Sequence, residues 1–269
     1  MNNFILRTIT GIVFVSLIIS SIVFSPLFFA VLFFCITLLG LHEFFKLLQN
    51  GGKAPQNGWG LVLGGLSFTG LTAVAHDWMN VRYLLALIPL MMIIFISELY
   101  RKKPFPFENI ALTLLGTIYI ALPFGLLNFF YLPGKSYAFI LLLGYFIILW
   151  INDTFAYLFG MTFGKHRLFE RISPKKSWEG SIGGALTSII AAGLLAYFTD
   201  SLPFIHWIAI AAIIVVSGTL GDLVESMLKR SLNCKDSGTI LPGHGGILDR
   251  FDAVLISAPL IFVYIQLVN

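Results

Sequence analysis

Charge is scarce in this chain. Only 11% of its 269 residues are Asp, Glu, Lys or Arg, where a soluble globular domain carries about a quarter. A water-soluble fold with an ordinary charged surface therefore fits poorly. Cysteine is scarcer still: Cys35 lies in an apolar run and Cys234 in a charged loop, which argues against a disulfide framework. There is no internal repeat, no low-complexity tract and no segment with the composition of a soluble domain. The N-terminal run "MNNFILRTITGIVFVSLIIS" has no small-x-small cleavage site after it and reads as a retained first helix rather than a removed signal.

Apolar sequence is what remains. Hydrophobic residues make up 58% of the chain and 26 residues are Phe, which suits helices that face lipid. A spanning helix needs about 20 mostly apolar residues. Nine stretches qualify, near 6–24, 27–45, 58–75, 83–100, 109–131, 137–160, 181–199, 203–227 and 252–268, with Pro26 dividing the first two and "QNGGKAPQNG" the next pair. The expected fold is all-α and polytopic, a single membrane domain over 1–269. Its first part, 1–135, would be scaffold helices available for dimer contacts, and 136–269 would carry the chemistry.

With the N-terminus placed inside and nine alternating spans, fifteen of the 17 Lys and Arg fall on the inner side; only Arg82 and Lys135 fall outside. The two long polar loops, 161–179 and 228–251, then face the cytoplasm. The expected location is the cell (inner) membrane.

Charged groups within apolar segments are costly and usually functional. Asn152 and Asp153 lie late in the sixth stretch, Asp222 and Glu225 near the end of the eighth, and Asp249 and Asp252 at the start of the ninth. All are expected at one depth near the cytoplasmic face. Asp222, Glu225, Ser226 and Lys229 share one helix face by their i, i+3, i+4, i+7 spacing. Hard oxygen ligands of this kind suit Mg²⁺, which takes one or two carboxylates plus substrate phosphates. Glu225 and Asp252 fit a structural ion pair as well as a ligand; Asp222 and Asp153, deeper in apolar sequence, favour function.

Two loops offer phosphate-binding groups. In "SPKKSWEG" (Ser173–Gly180), Lys175 and Lys176 precede a helix that Ser177 can cap and that holds Glu179 in its first turn. Inner-side basicity toward anionic lipid explains that stretch equally well. In "LPGHGGILDR", Gly243, Gly245 and Gly246 let backbone N–H groups approach a phosphate closely. His244 can donate to phosphate or brace the turn, and Arg250 can form a bidentate fork or pair with Asp249 or Asp252. "GMTFGKH" approaches a P-loop but is one residue short between its glycines, has His166 where Ser or Thr belongs, and follows no strand.

Taken together, these residues resemble the phosphatidate cytidylyltransferase (CDP-diacylglycerol synthase) family. Its pattern is matched by Ser226, Leu228, Lys229, Arg230, Lys235, Asp236, Gly238, Leu241, Pro242, His244, Gly245, Gly246, Ile247, Asp249, Arg250, Phe251 and Asp252, with "NDTFAY" and "SPKKSWEG" in support. The resemblance covers roughly the C-terminal half. It implies transfer of cytidylate from CTP to phosphatidic acid, giving CDP-diacylglycerol and pyrophosphate. It also implies Mg²⁺ dependence, a multi-helix membrane fold that is often dimeric, and metal-centre acids at Asp222 and Asp249, with Asp153 expected nearby.

The catalytic set is then Asp222, Asp249, Lys229, Arg230, Lys235, Asp236, His244 and Arg250. The substrate-binding set is Asn152, Ser173, Lys175, Lys176, Ser177, Ser226, Gly245 and Gly246. A second cation, monovalent or divalent, is left open. The expected partners are CTP, phosphatidic acid, membrane lipids and, by the resemblance, a second copy; no nucleic acid is expected. The alternatives are another CTP-dependent lipid kinase-like enzyme and a cation or proton transporter. A CDP-alcohol phosphotransferase would want a "DGxxAR" motif, which is lacking.

Overall fold

The computed structural model describes residues 3–131, 138–199, 201–234, 237–238 and 245–268, without the side chains of residues 3–7. Among these residues it is a helical membrane protein. The helices are α1 (Asn3–Phe24), α2 (Pro26–Asn50), α3 (Asn57–Ala75), α4 (Leu87–Arg101), α5 (Pro106–Gly116), α6 (Leu122–Leu126), α7 (Ile140–Phe163), α8 (Trp178–Thr199), α9 (Phe204–Ser231) and α10 (Leu248–Val268). A 3₁₀ turn, Val81–Ala86, leads into α4, and α5 and α6 belong to one rod, Pro106–Phe130.

That rod contains a π-helical stretch, Thr117–Ala121, just before Pro123. Proline lacks an N–H and its ring crowds the carbonyl four residues back, so the helix widens there instead of breaking.

Eight helical segments among the described residues are long and apolar enough to span a bilayer; in α1 the apolar stretch described is the shorter Thr8–Phe24. Nine spans were expected, and the difference lies at that first helix. Large apolar side chains such as Leu99, Tyr197 and Leu267 are more than three-quarters exposed, a surface that lipid accepts and water does not.

The fold differs from expectation in the loop 161–179. It contains an antiparallel hairpin of β1 (Arg167–Phe169) and β2 (Ser173–Ser177), pairing Arg167 with Ser177 and Phe169 with Ser173. Such short strands, one carrying Pro174, show neither alternation nor β-branched enrichment, so no sequence signal marks them.

The chain forms two compact units. The first comprises 1–129 and 231–251, the second 130–230 and 252–269, so the division falls inside α10. In the first unit, Phe29, Phe33, Phe124 and Phe251 form a chain of ring contacts, with centroids 4.2 Å (29–33), 5.8 Å (33–124) and 5.2 Å (124–251) apart. This aromatic cluster anchors the first turn of α10.

In the second unit, α7 and α8 pack closely because glycines line the seam. A Cβ at Gly183 would overlap the Phe159 ring, and one at Gly184 would lie 2.9 Å from both oxygens of Asn152. Small residues of this kind let membrane helices approach.

Candidate active site

The site is built in the second unit from the ends of α7 and α9, the hairpin, the start of α8 and the body of α10. Ser177 ends β2 and its hydroxyl accepts from Gly180 N–H at 3.2 Å. That satisfies one of the unpaired donors at the start of α8, and the helix begins at Trp178, three residues before the apolar run expected from residue 181. Glu179 follows and accepts from the backbone N–H of Lys165 at 3.1 Å and from His166 N–H at 3.2 Å, with His166 Nδ1 at 2.6 Å. One carboxylate thus fastens the exit of α7 to the start of α8. The near P-loop "GMTFGKH" is accounted for here: it is the end of α7 and a turn held by Glu179, with a helix and no strand before it.

A cavity of about 590 Å³ opens beside these elements, lined by Asn152, Asp153, Arg167, Ser173, Lys175, Lys176, Ser177, Asp222 and Asp252, among others. Its size is ordinary for a small-molecule site. Seven residues expected from sequence to bind substrate or metal line it: Asn152, Asp153, Ser173, Lys175, Lys176, Ser177 and Asp222. Asp153 lies ten residues before the end of α7 and Asp222 nine before the end of α9. At about 1.5 Å per residue, both sit roughly 14–15 Å along their helices from those ends. Both helices run a few residues further than expected, α7 to 163 instead of 160 and α9 to 231 instead of 227, and the two acids keep similar distances from their ends.

The acids have partners. Lys176 Nζ lies 2.6 Å from Asp222 Oδ2 and also donates to the Thr219 carbonyl at 3.2 Å. Ser226 Oγ donates to Asp222 Oδ1 at 3.2 Å, one turn along α9. Lys229 Nζ meets Glu225 Oε2 at 2.5 Å, and Glu225 is buried. Asn152, also buried, donates weakly to Asp153 Oδ1 at 3.4 Å.

Asp222, Glu225 and Asp252 each offer one carboxylate oxygen, and these oxygens lie within 4.8 Å of one another. Glu225 and Asp252, evenly balanced between ion pair and ligand on sequence, join Asp222 in this cluster. Gly221 makes it feasible: a Cβ there would overlap the Asp252 carbonyl, so α9 and α10 meet backbone to backbone. Three carboxylates this close repel one another unless a cation lies near. Their hard oxygen donors fit Mg²⁺.

The remaining expected residues lie elsewhere. Arg230 is exposed at the end of α9. Gly245, Gly246, Asp249 and Arg250 belong to the first unit. There Asp249 Oδ2 accepts from Gly246 N–H at 2.9 Å and from Ser237 N–H at 3.4 Å, and Arg250 is exposed. Lys235, Asp236, Gly243 and His244 lie outside the described residues. Sequence reasoning gave no role to Arg167, which lines the cavity, and noted Glu179 only as a first-turn acid; for Arg167 the one signal was its place in a polar loop.

The family model for the cytidylyltransferase family matches residues 5–268. The chain belongs to the cytidylyltransferase family. Among curated proteins, it is 41% identical to a phosphatidate cytidylyltransferase of Staphylococcus aureus (strain COL) over 199 residues, 73% of this chain and 75% of the relative. It is also 41% identical to the Staphylococcus epidermidis (strain ATCC 12228 / FDA PCI 1200) protein of that name, over 70% of this chain and 71% of the relative. The Staphylococcus haemolyticus (strain JCSC1435) protein of that name is 40% identical over the same shares. The match reaches well beyond the C-terminal motif, into helices that on sequence supported the family only by being hydrophobic.

Proposed function

We propose that this chain is a phosphatidate cytidylyltransferase, transferring cytidylate from CTP to phosphatidic acid. The observation that carries the reading is the cavity that Lys175, Lys176 and Arg167 line together with Asp153, Asp222 and Asp252, in a chain of the cytidylyltransferase family. A phosphate oxygen of the lipid, already anionic near neutral pH, attacks the α-phosphorus of CTP. The new P–O bond forms as the bond from the α-phosphorus to the bridging oxygen breaks, and pyrophosphate leaves with that electron pair. The nucleophile needs no strong base. The barrier lies in bringing two polyanions together and in the charge that develops on the leaving group.

The chain's own residues meet that barrier by position and charge. Lys175 and Arg167, both exposed to the cavity, and Lys176 attract phosphate. The N-terminus of α8, beginning at Trp178, adds its dipole. Lys176 pairs with Asp222 and can exchange that carboxylate for a phosphate oxygen. Asp222, Asp252 and Glu225 would hold Mg²⁺, which when bound supplies charge neutralisation for the phosphates and the leaving pyrophosphate. Asp249 enters the reading through the motif it occupies.

We place the N-terminus and the polar loops on the cytoplasmic side of the cell membrane. Inner-side enrichment of Lys and Arg supports that orientation, and CTP is supplied there. A homodimer is part of the reading on family resemblance, and the mass of the detergent-purified protein checks it. The decisive assay supplies labelled CTP, phosphatidic acid and Mg²⁺ to purified protein. Lipid-linked cytidylate with matching pyrophosphate is the expected result; pyrophosphate at background, with no labelled lipid, overturns it.

A further inference from the structure

We propose that Glu43, on α2, is a positioning residue for the Gly-rich loop that leads into α10. This proposal rests on the functional reading above together with the family resemblance, which makes Asp249 a metal-centre acid and puts the loop's glycines next to phosphate. Glu43 belongs to the N-terminal helices, which composition marks only as apolar scaffold.

Its carboxylate is buried, 3% exposed, and it takes three donors from the far end of the chain. Ser237 Oγ donates to Oε1 at 2.6 Å, Leu248 N–H to Oε1 at 3.0 Å and Ile247 N–H to Oε2 at 2.9 Å. Leu248 is the first residue of α10, so two N–H groups at the entry to that helix, where no intrahelical acceptor exists, end on Glu43. A carboxylate at a helix N-terminus is also favoured by the dipole. Here the cap comes from a residue 204 positions away from Ile247, instead of from the residue that precedes the helix.

The surroundings are shaped around this carboxylate. A Cβ at Gly238 would lie 2.7 Å from Oε2, and one at Gly246 would overlap Oε1. Gly40, one turn earlier on α2, faces the Ile247 side chain, 3.5 Å from where a Cβ would stand, an ordinary packing distance.

The hold passes on to Asp249. Gly246, between Glu43 and the helix start, gives its N–H to Asp249 Oδ2 at 2.9 Å. Gly245 has φ +85°, and a Cβ there would lie 2.7 Å from the same oxygen. Phe251, two residues on, is locked by ring contacts to Phe14, Phe33 and Phe124. The segment 245–251 is thus clamped at both ends, by an anion at one and aromatics at the other, and Asp249 points where the clamp directs it. A buried carboxylate is costly unless its hydrogen bonds are complete, so its role here is to impose one loop geometry.

The test uses the full-length protein in lipid nanodiscs and compares Glu43→Gln and Glu43→Asp with the parent. Gln keeps the size but turns one acceptor into a donor, leaving an N–H or hydroxyl of the loop unmatched. Asp keeps the charge on a stem one methylene shorter. Amide exchange is followed by mass spectrometry for peptides covering 245–250, with α7 peptides as the internal control. Turnover, KM for CTP and the Mg²⁺ concentration for half-maximal rate are measured per folded molecule.

In Glu43→Gln the 245–250 amides are expected to exchange about tenfold faster or more while α7 is unchanged. Turnover is expected to fall roughly 10–100-fold, as for other residues that orient a ligand without touching substrate. The Mg²⁺ requirement should rise, and Glu43→Asp should recover part of each loss. Unchanged exchange, or altered exchange with normal turnover and Mg²⁺ requirement per folded molecule, overturns the proposal. If Glu43→Gln does not fold, Ser237→Ala removes one donor alone and is judged by the same two readouts. Should the parent make no CDP-diacylglycerol, the functional reading fails, while the exchange arm still decides whether Glu43 holds the loop.

Discussion

The two units treat their buried and half-buried acids differently. In the first, Glu43 is satisfied by a hydroxyl and two backbone N–H groups. Glu98 is satisfied by Gln56 at 2.6 Å, Asn109 at 2.8 Å and Arg101 at 2.7 Å. These donors are fixed by the backbone or by packed neighbours, so the acids brace the fold. In the second unit, Asp222 and Glu225 instead meet the flexible ends of Lys176 and Lys229. Asp222, Glu225 and Asp252 also crowd one another within 4.8 Å. A lysine on a four-carbon stem can leave for a phosphate, and crowded carboxylates present hard oxygen donors of the kind a divalent cation would suit. The difference teaches which acids hold structure and which are kept available for ligands.

That contrast can be broken by experiment. Asp222→Asn should have the largest effect, lowering turnover about 100-fold or more while leaving the melting temperature unchanged or slightly raised, because it relieves repulsion. A marked loss of thermal stability would place Asp222 with the bracing acids. Metal removal comes next. Mg²⁺ at about 100 times its Kd should stabilise the protein by roughly 2.7 kcal/mol, seen as a melting temperature that falls on chelation. The shift should vanish in Asp222→Asn, and its persistence there would move the metal to other ligands.

Lys176→Ala should raise KM for CTP about tenfold, the worth of a charge-assisted hydrogen bond, with little change in stability. The smallest effect belongs to Ser237→Ala, which removes one of Glu43's three donors. It should cost about 1 kcal/mol of stability and only a few-fold in rate, measured by denaturation and steady-state turnover. A purely kinetic effect with unchanged stability would erase the distinction between the units.

Much of the second unit's site was legible from sequence because its signals are local. An Asp in apolar sequence, or lysines before a helix-capping serine, declare themselves within a few residues. Asp153, Lys175, Lys176, Ser177 and Asp222 all line the cavity. Glu43 sits in "GLHEFFKLLQN", at the end of an apolar run where an acid looks like an ordinary solvated terminus. Its partners lie 194 to 205 residues on. Glu225 and Asp252 were ambiguous for a related reason: spacing places an acid on a helix face but does not say which other helix that face meets.

The amino-acid order alone determined that this protein is a bundle of membrane helices and roughly where each begins and ends, because hydropathy over about 20 residues is a property of the segment itself. It also carried the motif that identifies the family. Tertiary structure decided which acids meet. The backbone approach of α9 and α10 at Gly221 collects Asp222 and Asp252. The seating of Glu43 against Gly238 and Gly246 ties the first helices to the Gly-rich loop. Such pairings depend on how helices pack around missing side chains, a relation between distant segments that no local periodicity records.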